Sequence, residues 1–410
     1  MTRLRGLAVG LAIALVLASS VPARAASLSM AEVWSQLKAL PYQPAYVAAG
    51  IDTGVDAPDQ PALADLAPPF PAWPAAFQRV QFASIDGAPL YGHLAVRTDG
   101  VARPGVVVMH GFNSNGKSSV VRYAAMLYAN GYQVFAPDFR DMGDSRSLDR
   151  DPSSCSALGC NYSNARLSHH YQTFGWKEAE DLYAAALYLK RQPKLSRVGL
   201  MGFSEGAQNA ILAAAMDRRA GTGAVHAVLS FSPPADQGTQ LQADPAVTAA
   251  LVSVVVSPYT DACAYLLDAS RGNGGTFGGY GLSVTEILAR QRAYLDVLAV
   301  DVPVLAVFAN DDALVAPDQA RLLASRTNWM KNAQTWLLTT GNHAYYYDRW
   351  FQDMVALTYF RYWLGDARGS VTAEPTVMRT PGGAPAGEQT IDLSDVTPAD
   401  GDAIVREACR

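Results

Sequence analysis

From about residue 105 onward the chain repeats one rhythm: a short apolar run, then a helical stretch. The runs GVVVMH (105–110), QVFAP (133–137), VGLMGF (198–203), AVLSFS (227–232), VLAVFA (304–309) and TWLLT (335–339) read as strands. Helical patterns fall at 119–130, 176–191, 205–217, 317–325 and 350–363. The runs are apolar throughout rather than alternating. Such strands are buried on both faces, as in a parallel sheet whose crossovers are helices. Ahead of them, 80–85 and 90–97 flank Asp86-Gly87, a hairpin turn that adds antiparallel strands at one edge. A short helix at 31–40 and an extended arm precede the hairpin.

Two stretches break the rhythm. Residues 141–173 are polar and irregular. Residues 233–301 separate two strands by far more chain than a usual connection, and they carry the glycine-rich RGNGGTFGGYG. This segment reads as an inserted cap or lid. The expected organisation is a leader at 1–25, an Ala/Pro-rich arm at 26–78, a core at 79–232 and 302–366, the cap at 233–301 and a tail at 367–410.

The leader changes the setting of the fold. Arg3 and Arg5 precede a stretch without charge from Gly6 to Val21, and Ala23-Arg24-Ala25 offers a cleavage site near Ala25. The uncharged run is short for a spanning helix, so a secreted or periplasmic protein with no stable membrane span is expected. Loss of Arg3, Arg5 and Arg24 would take the formal charge from −5 to −8, three basic residues fewer. No basic stripe suggests nucleic acid. In an oxidising compartment the four cysteines become candidates for disulfides. Cys155 and Cys160 are close enough to staple one loop, which leaves Cys263 and Cys409 for each other. No metal or organic cofactor is implied, and the oligomeric state is open.

The chemistry concentrates in VGLMGFSEGAQNAILAAAM. An apolar strand runs into Gly202-Phe203-Ser204-Glu205-Gly206 and a helix begins at once. This is G-x-S-x-G in the strand–turn–helix setting of a nucleophile elbow. The tight turn would lift the Ser204 hydroxyl to the carboxyl edge of the sheet. A serine hydroxyl needs a base, and the base needs an orienting acid. Only His226 and His343 follow Ser204. His226 lies at the amino side of a strand and reads as structural. His343, in TTGNHAYYYDRW, follows a strand and is the expected base. The acid should also follow a strand, and NDDALV offers Asp311 and Asp312. The spacing to Val315 favours Asp312, with Asp311 as a turn residue.

A competing motif lies upstream. Residues 111–118, GFNSNGKS, satisfy the phosphate-loop pattern G-x-x-x-x-G-K-[ST]. An exported protein meets little nucleotide, and that reading leaves the elbow unexplained. Gly116, Lys117 and Ser118 are therefore expected to form a helix entrance, and Lys117→Ala to matter little.

From about residue 80 to 364 the chain resembles the α/β-hydrolase superfamily. The resemblance rests on HGF (110–112), GFSEG, NDDALV, GNH and PDFRDMGDS (137–145), where Asp141 and Met142 depart from the usual loop. It implies an α/β-hydrolase fold with an eight-stranded, mostly parallel sheet and an inserted cap. It also implies an oxyanion hole made by the backbone N–H groups of Phe112 and Glu205. The Glu205 side chain then reads as a first-turn carboxylate favoured by the helix dipole. The function expected is a serine hydrolase of the carboxylesterase or lipase kind, acting on a small-molecule or acyl-ester substrate. A serine peptidase on the same fold and a non-catalytic binding protein are the alternatives.

Overall fold

The computed structural model describes residues 72–112, 116–140, 142–148, 155–156, 159–160, 173, 175–243, 284–327, 329–330, 332–338, 343 and 349–365. The leader, the 31–40 helix, the tail, most of the expected cap, Cys263 and Cys409 lie outside them.

The strands are β1 (Gln78–Ala83), β2 (Pro89–Ala95), β3 (Arg103–Met109), β4 (Gln133–Pro137), β5 (Leu195–Phe203), β6 (Ala227–Phe231), β7 (Val304–Ala309) and β8 (Ala333–Leu338). They form one eight-stranded sheet in the order β1-β2-β4-β3-β5-β6-β7-β8. The hairpin is antiparallel and β2 also runs antiparallel to β4, while every pairing from β4 to β8 is parallel. Five long helices cover the sheet: α1 (Val121–Ala129), α2 (Trp176–Lys190), α3 (Glu205–Ala220), α7 (Pro317–Thr327) and α8 (Arg349–Leu364). The short helices α4 (Gln237–Ala243), α5 (Val284–Leu288) and α6 (Ala293–Asp296) lie between β6 and β7. No helix among the described residues is long and apolar enough to cross a membrane.

The apolar strands divide their side chains between two cores. Val107 and Met109 of β3 join Leu182 of α2 and Ile211 of α3 on one face. Val106 and Val108 join Leu127 of α1 and Phe360 of α8 on the other. Each such side chain, fully buried, contributes about 1.5–3 kcal/mol. This is why the runs show no alternation. The described ends of the 233–301 segment are not loose: Ala235, Ala293, Tyr294, Val297 and Val300 are buried in the first core.

Two loops at the carboxyl edge carry buried charge. The Lys117 ammonium, 3% exposed, is ion-paired with Asp138, 0% exposed, and with Asp144 at 2.9 Å. Asp138 also accepts the Lys117 and Asp144 backbone N–H groups at 2.7 and 2.9 Å. Lys117 stands in the helical turn expected there, and its ammonium is the buried partner of Asp138. Arg140, the arginine of the PDFRDMGDS loop, is likewise buried between Asp181 and Asp86.

In the polar loop, Cys155 and Cys160 face each other across a two-residue antiparallel ladder. That register is the backbone arrangement a staple would use.

Candidate active site

At the end of β5 the backbone passes through Ser204 with φ 55° and ψ −123° before α3 begins. A non-glycine residue there is strained and persists only if its surroundings hold it. The Ser204 N–H donates to the Phe231 carbonyl at 2.8 Å, and the Ser204 carbonyl accepts from Ala207 and Gln208 at 2.9 and 3.1 Å. A Cβ at Gly202 would overlap the Gly206 carbonyl, and one at Gly206 would overlap the His110 carbonyl. Both glycines are thus required by close packing, as the G-x-S-x-G pattern suggested.

The loop after β3 lies against the elbow. The Cβ position of Gly111 is 3.0 Å from the Ser204 Cβ. Phe112 follows, half-buried against the first core. The Phe112 and Glu205 backbones therefore flank the serine, where the expected oxyanion hole would be. His110 anchors this loop. It is fully buried, with Nδ1 2.7 Å from the Gly111 carbonyl and Nε2 accepting the Phe139 N–H at 3.3 Å. Only the neutral ring, protonated at Nδ1, satisfies both. Burial pushes its pKa down to about 4, against the Gly111 carbonyl, which favours the charged form.

Asp312 follows β7 and His343 follows β8, at the same edge as Ser204. His343 Nδ1 lies 3.0 Å from both Asp312 carboxylate oxygens. The Leu314 and Val315 N–H groups donate to the same carboxylate at 2.8 Å. Burial alone would raise this carboxyl. The His343 ring, the Val315 amide and the Ser232 hydroxyl outweigh it and hold Asp312 below the usual range. Asp311 is exposed and outside this pairing. His226 sits at the amino end of β6, its Nδ1 3.2 Å from both the Ala224 carbonyl and the Val198 amide.

Ser232 was not singled out by any motif. It ends β6 with φ 50°, is fully buried, and donates its N–H to Val307 at 2.7 Å. Its hydroxyl bonds Asp312. The only sequence signal was a hydroxyl directly after an apolar strand beside the acid's strand.

The Glu205 side chain departs from expectation. It is buried, and burial together with the nearby Glu178 raises its pKa well above the ordinary range, with Asn209 acting weakly the other way. Loss of solvation outweighs the partial charge of the helix dipole here.

Comparison with known proteins agrees with this layout. The model of the dienelactone hydrolase family matches residues 92–254. A thiohydrolase of Aspergillus aculeatus is 31% identical over 150 residues, 35% of this chain and 39% of that protein. The match thus spans about two-fifths of that relative. Among solved structures, a puromycin-hydrolyzing peptidase of Mycobacterium tuberculosis superposes with a TM-score of 0.51 at 17% identity, over 73% of this chain and 41% of that one. An esterase of Pyrococcus furiosus gives 0.48 at 19%, over 74% of this chain and 96% of that one. The strand order and the strained turn after β5 are those of the α/β-hydrolase fold.

Proposed function

We propose that the protein is an exported serine hydrolase that cleaves carboxylic esters through an acyl-enzyme on Ser204. The observation that carries this is a strained serine and a hydrogen-bonded Asp312–His343 pair, each following a strand at one sheet edge. Asp312 holds Nδ1 of the imidazole, which gives the base role to Nε2. Ser204 Oγ attacks the acyl carbonyl and its proton passes to Nε2. The Phe112 and Glu205 N–H groups receive the negative charge that develops on the carbonyl oxygen. The tetrahedral intermediate collapses, the C–O bond breaks, and His343 returns the proton to the leaving alcohol. Water then repeats the sequence and releases the acid. Oxygen esters and thioesters pass through the same intermediate, and the name of the Aspergillus relative supports including both.

Export supports a Cys155–Cys160 disulfide, for which the facing register is suited. Hydrolysis of p-nitrophenyl esters of graded chain length, of acyl thioesters and of aminoacyl anilides tests the reading. Turnover of esters or thioesters well above anilides is expected. Cleavage of anilides alone would replace the esterase with a peptidase.

A further inference from the structure

The turn that carries Asp312 is held from outside by side chains that the proposed reaction does not use. β7 ends at Ala309 and α7 begins at Pro317. In the turn between them the Asp312 N–H donates to the Ala309 carbonyl at 3.3 Å, and Asp312 Oδ1 accepts the Leu314 and Val315 N–H groups at 2.8 Å.

Gln240 of α4 grips this turn. Its Nε2 donates to the Leu314 carbonyl at 2.5 Å, and its Oε1 accepts the Ala316 N–H at 3.2 Å. Both ends of the amide are used, so its orientation is fixed. A flip would set donor against donor and acceptor against acceptor. Gln240 is buried, so breaking either bond strands a polar group away from water.

Gln319 of α7 reaches in the other direction. Its Oε1 accepts the Ala235 and Asp236 N–H groups at 2.8 and 2.9 Å, and its Nε2 donates to Thr239 Oγ1 at 3.1 Å. The chain after β6 is also tied to the far end of the 233–301 segment. The Gln237 N–H donates to the Gln291 carbonyl at 3.2 Å, the Tyr294 N–H donates to the Ala235 carbonyl at 3.1 Å, and Asp236 lies 3.5 Å from Arg292. α4 is therefore a fixed point from which Gln240 can hold the turn.

One covalent fact gives this contact its consequence. The Leu314 carbonyl and the Val315 N–H belong to the same peptide group. Gln240 donates to the oxygen of that group, and its N–H donates to Asp312, whose carboxylate lies 3.0 Å from His343 Nδ1. A peptide that accepts a hydrogen bond at its carbonyl becomes a stronger donor at its N–H. Orientation and polarisation act together: both favour the ionised carboxylate and hold its plane against the imidazole.

We propose that Gln240 is a positioning residue for the reaction, acting on His343 through the 314–315 peptide and Asp312. It makes the chain after β6 part of the acid's support. The inference rests on the reading of Asp312 as the orienting acid.

Ester kinetics of Gln240→Met, Asp312→Ala and the double variant test it. Gln240→Met keeps the length of the side chain and removes both hydrogen bonds. Its kcat is expected to fall about tenfold or more with KM nearly unchanged, in protein whose circular dichroism matches the wild type. In the Asp312→Ala background the same substitution should change kcat by less than about twofold, because the group it acts through is gone. A merely structural role would give the same loss in both backgrounds. Should Gln240→Met not fold, Gln240→Glu keeps the acceptor for Ala316 and removes the donor to Leu314, and should show the same pattern. Unchanged kcat in a folded Gln240 variant, or an equal loss with and without Asp312, would overturn the proposal alone. Full activity in Asp312→Ala would instead sink the acid assignment, and the proposal with it.

Discussion

The loops after β3 and after β5 are built from the same parts and do opposite things. Each leaves a buried parallel strand, turns through glycine and enters a helix. In the first, the charged group that makes the phosphate-loop pattern convincing is matched: Lys117 meets Asp138 and Asp144, and Asp138 collects two backbone N–H groups besides. In the second, Ser204 is strained and the Glu205 carboxyl is buried beside that of Glu178. Matched groups mark a joint of the scaffold. Strain and like charges buried together mark the place where the scaffold is kept ready for something else.

The largest effect should come from breaking the second loop. Ser204→Ala and His343→Ala are each expected to lower kcat by about 10⁴-fold or more without loss of fold. Ester kinetics beside far-ultraviolet circular dichroism check this. Full activity in either variant would remove the distinction between the loops.

Breaking the first loop should change stability instead. Lys117→Ala leaves Asp138 buried without its cation, so the protein is expected to lose about 3–5 kcal/mol in denaturant unfolding. The fraction that remains folded should turn over ester nearly as the wild type does. A phosphate-binding lysine would show the reverse, a stable protein without activity.

The third prediction concerns His110, which joins the two loops. Its folded pKa of about 4 lies below the ordinary value of 6.5. Between those values the unfolded chain takes up a proton that the folded chain refuses, so stability falls as pH drops from 6.5 toward 4. For this fully buried ring the loss is about 3 kcal/mol. His93, also held near 4 but half-exposed, adds a smaller contribution of the same sign. Urea unfolding across this range is expected to show the decline, and His110→Gln to flatten it.

The smallest effect belongs to Ser232. It touches Asp312 rather than substrate and positions the acid. Ser232→Ala should lower kcat about tenfold, the loss of one hydrogen bond to a charged group, and leave KM nearly unchanged. It should also shift the acid limb of the pH–rate profile, which a merely structural role would not do.

These contrasts show what a sequence makes legible. Apolar runs announced the six strands from β3 to β8, because burial on both faces leaves little room for polar residues, and the Asp86-Gly87 turn announced the more exposed hairpin of β1 and β2. The start of β5 was missed because Leu195–Arg197 sit at the exposed amino edge, where polar residues are tolerated. The pairing of Asp312 with His343 and the strained turn at Ser204 were legible because each residue follows a strand at one edge. The roles of Lys117, Ser232 and the Glu205 side chain were not. Each depends on partners such as Asp138, Asp312 or Glu178, brought together by the fold from distant parts of the chain. Local pattern records which groups are present but not which ones meet.

The central claim is that Ser204 is the nucleophile. Labelling of the native protein with a fluorophosphonate, followed by mass mapping of the modified peptide, tests it most directly. One adduct is expected on Ser204, formed by folded protein, lost in Ser204→Ala and His343→Ala, and absent after denaturation. Native, ester-hydrolysing protein that takes up no label, or takes it up on another residue, would contradict it.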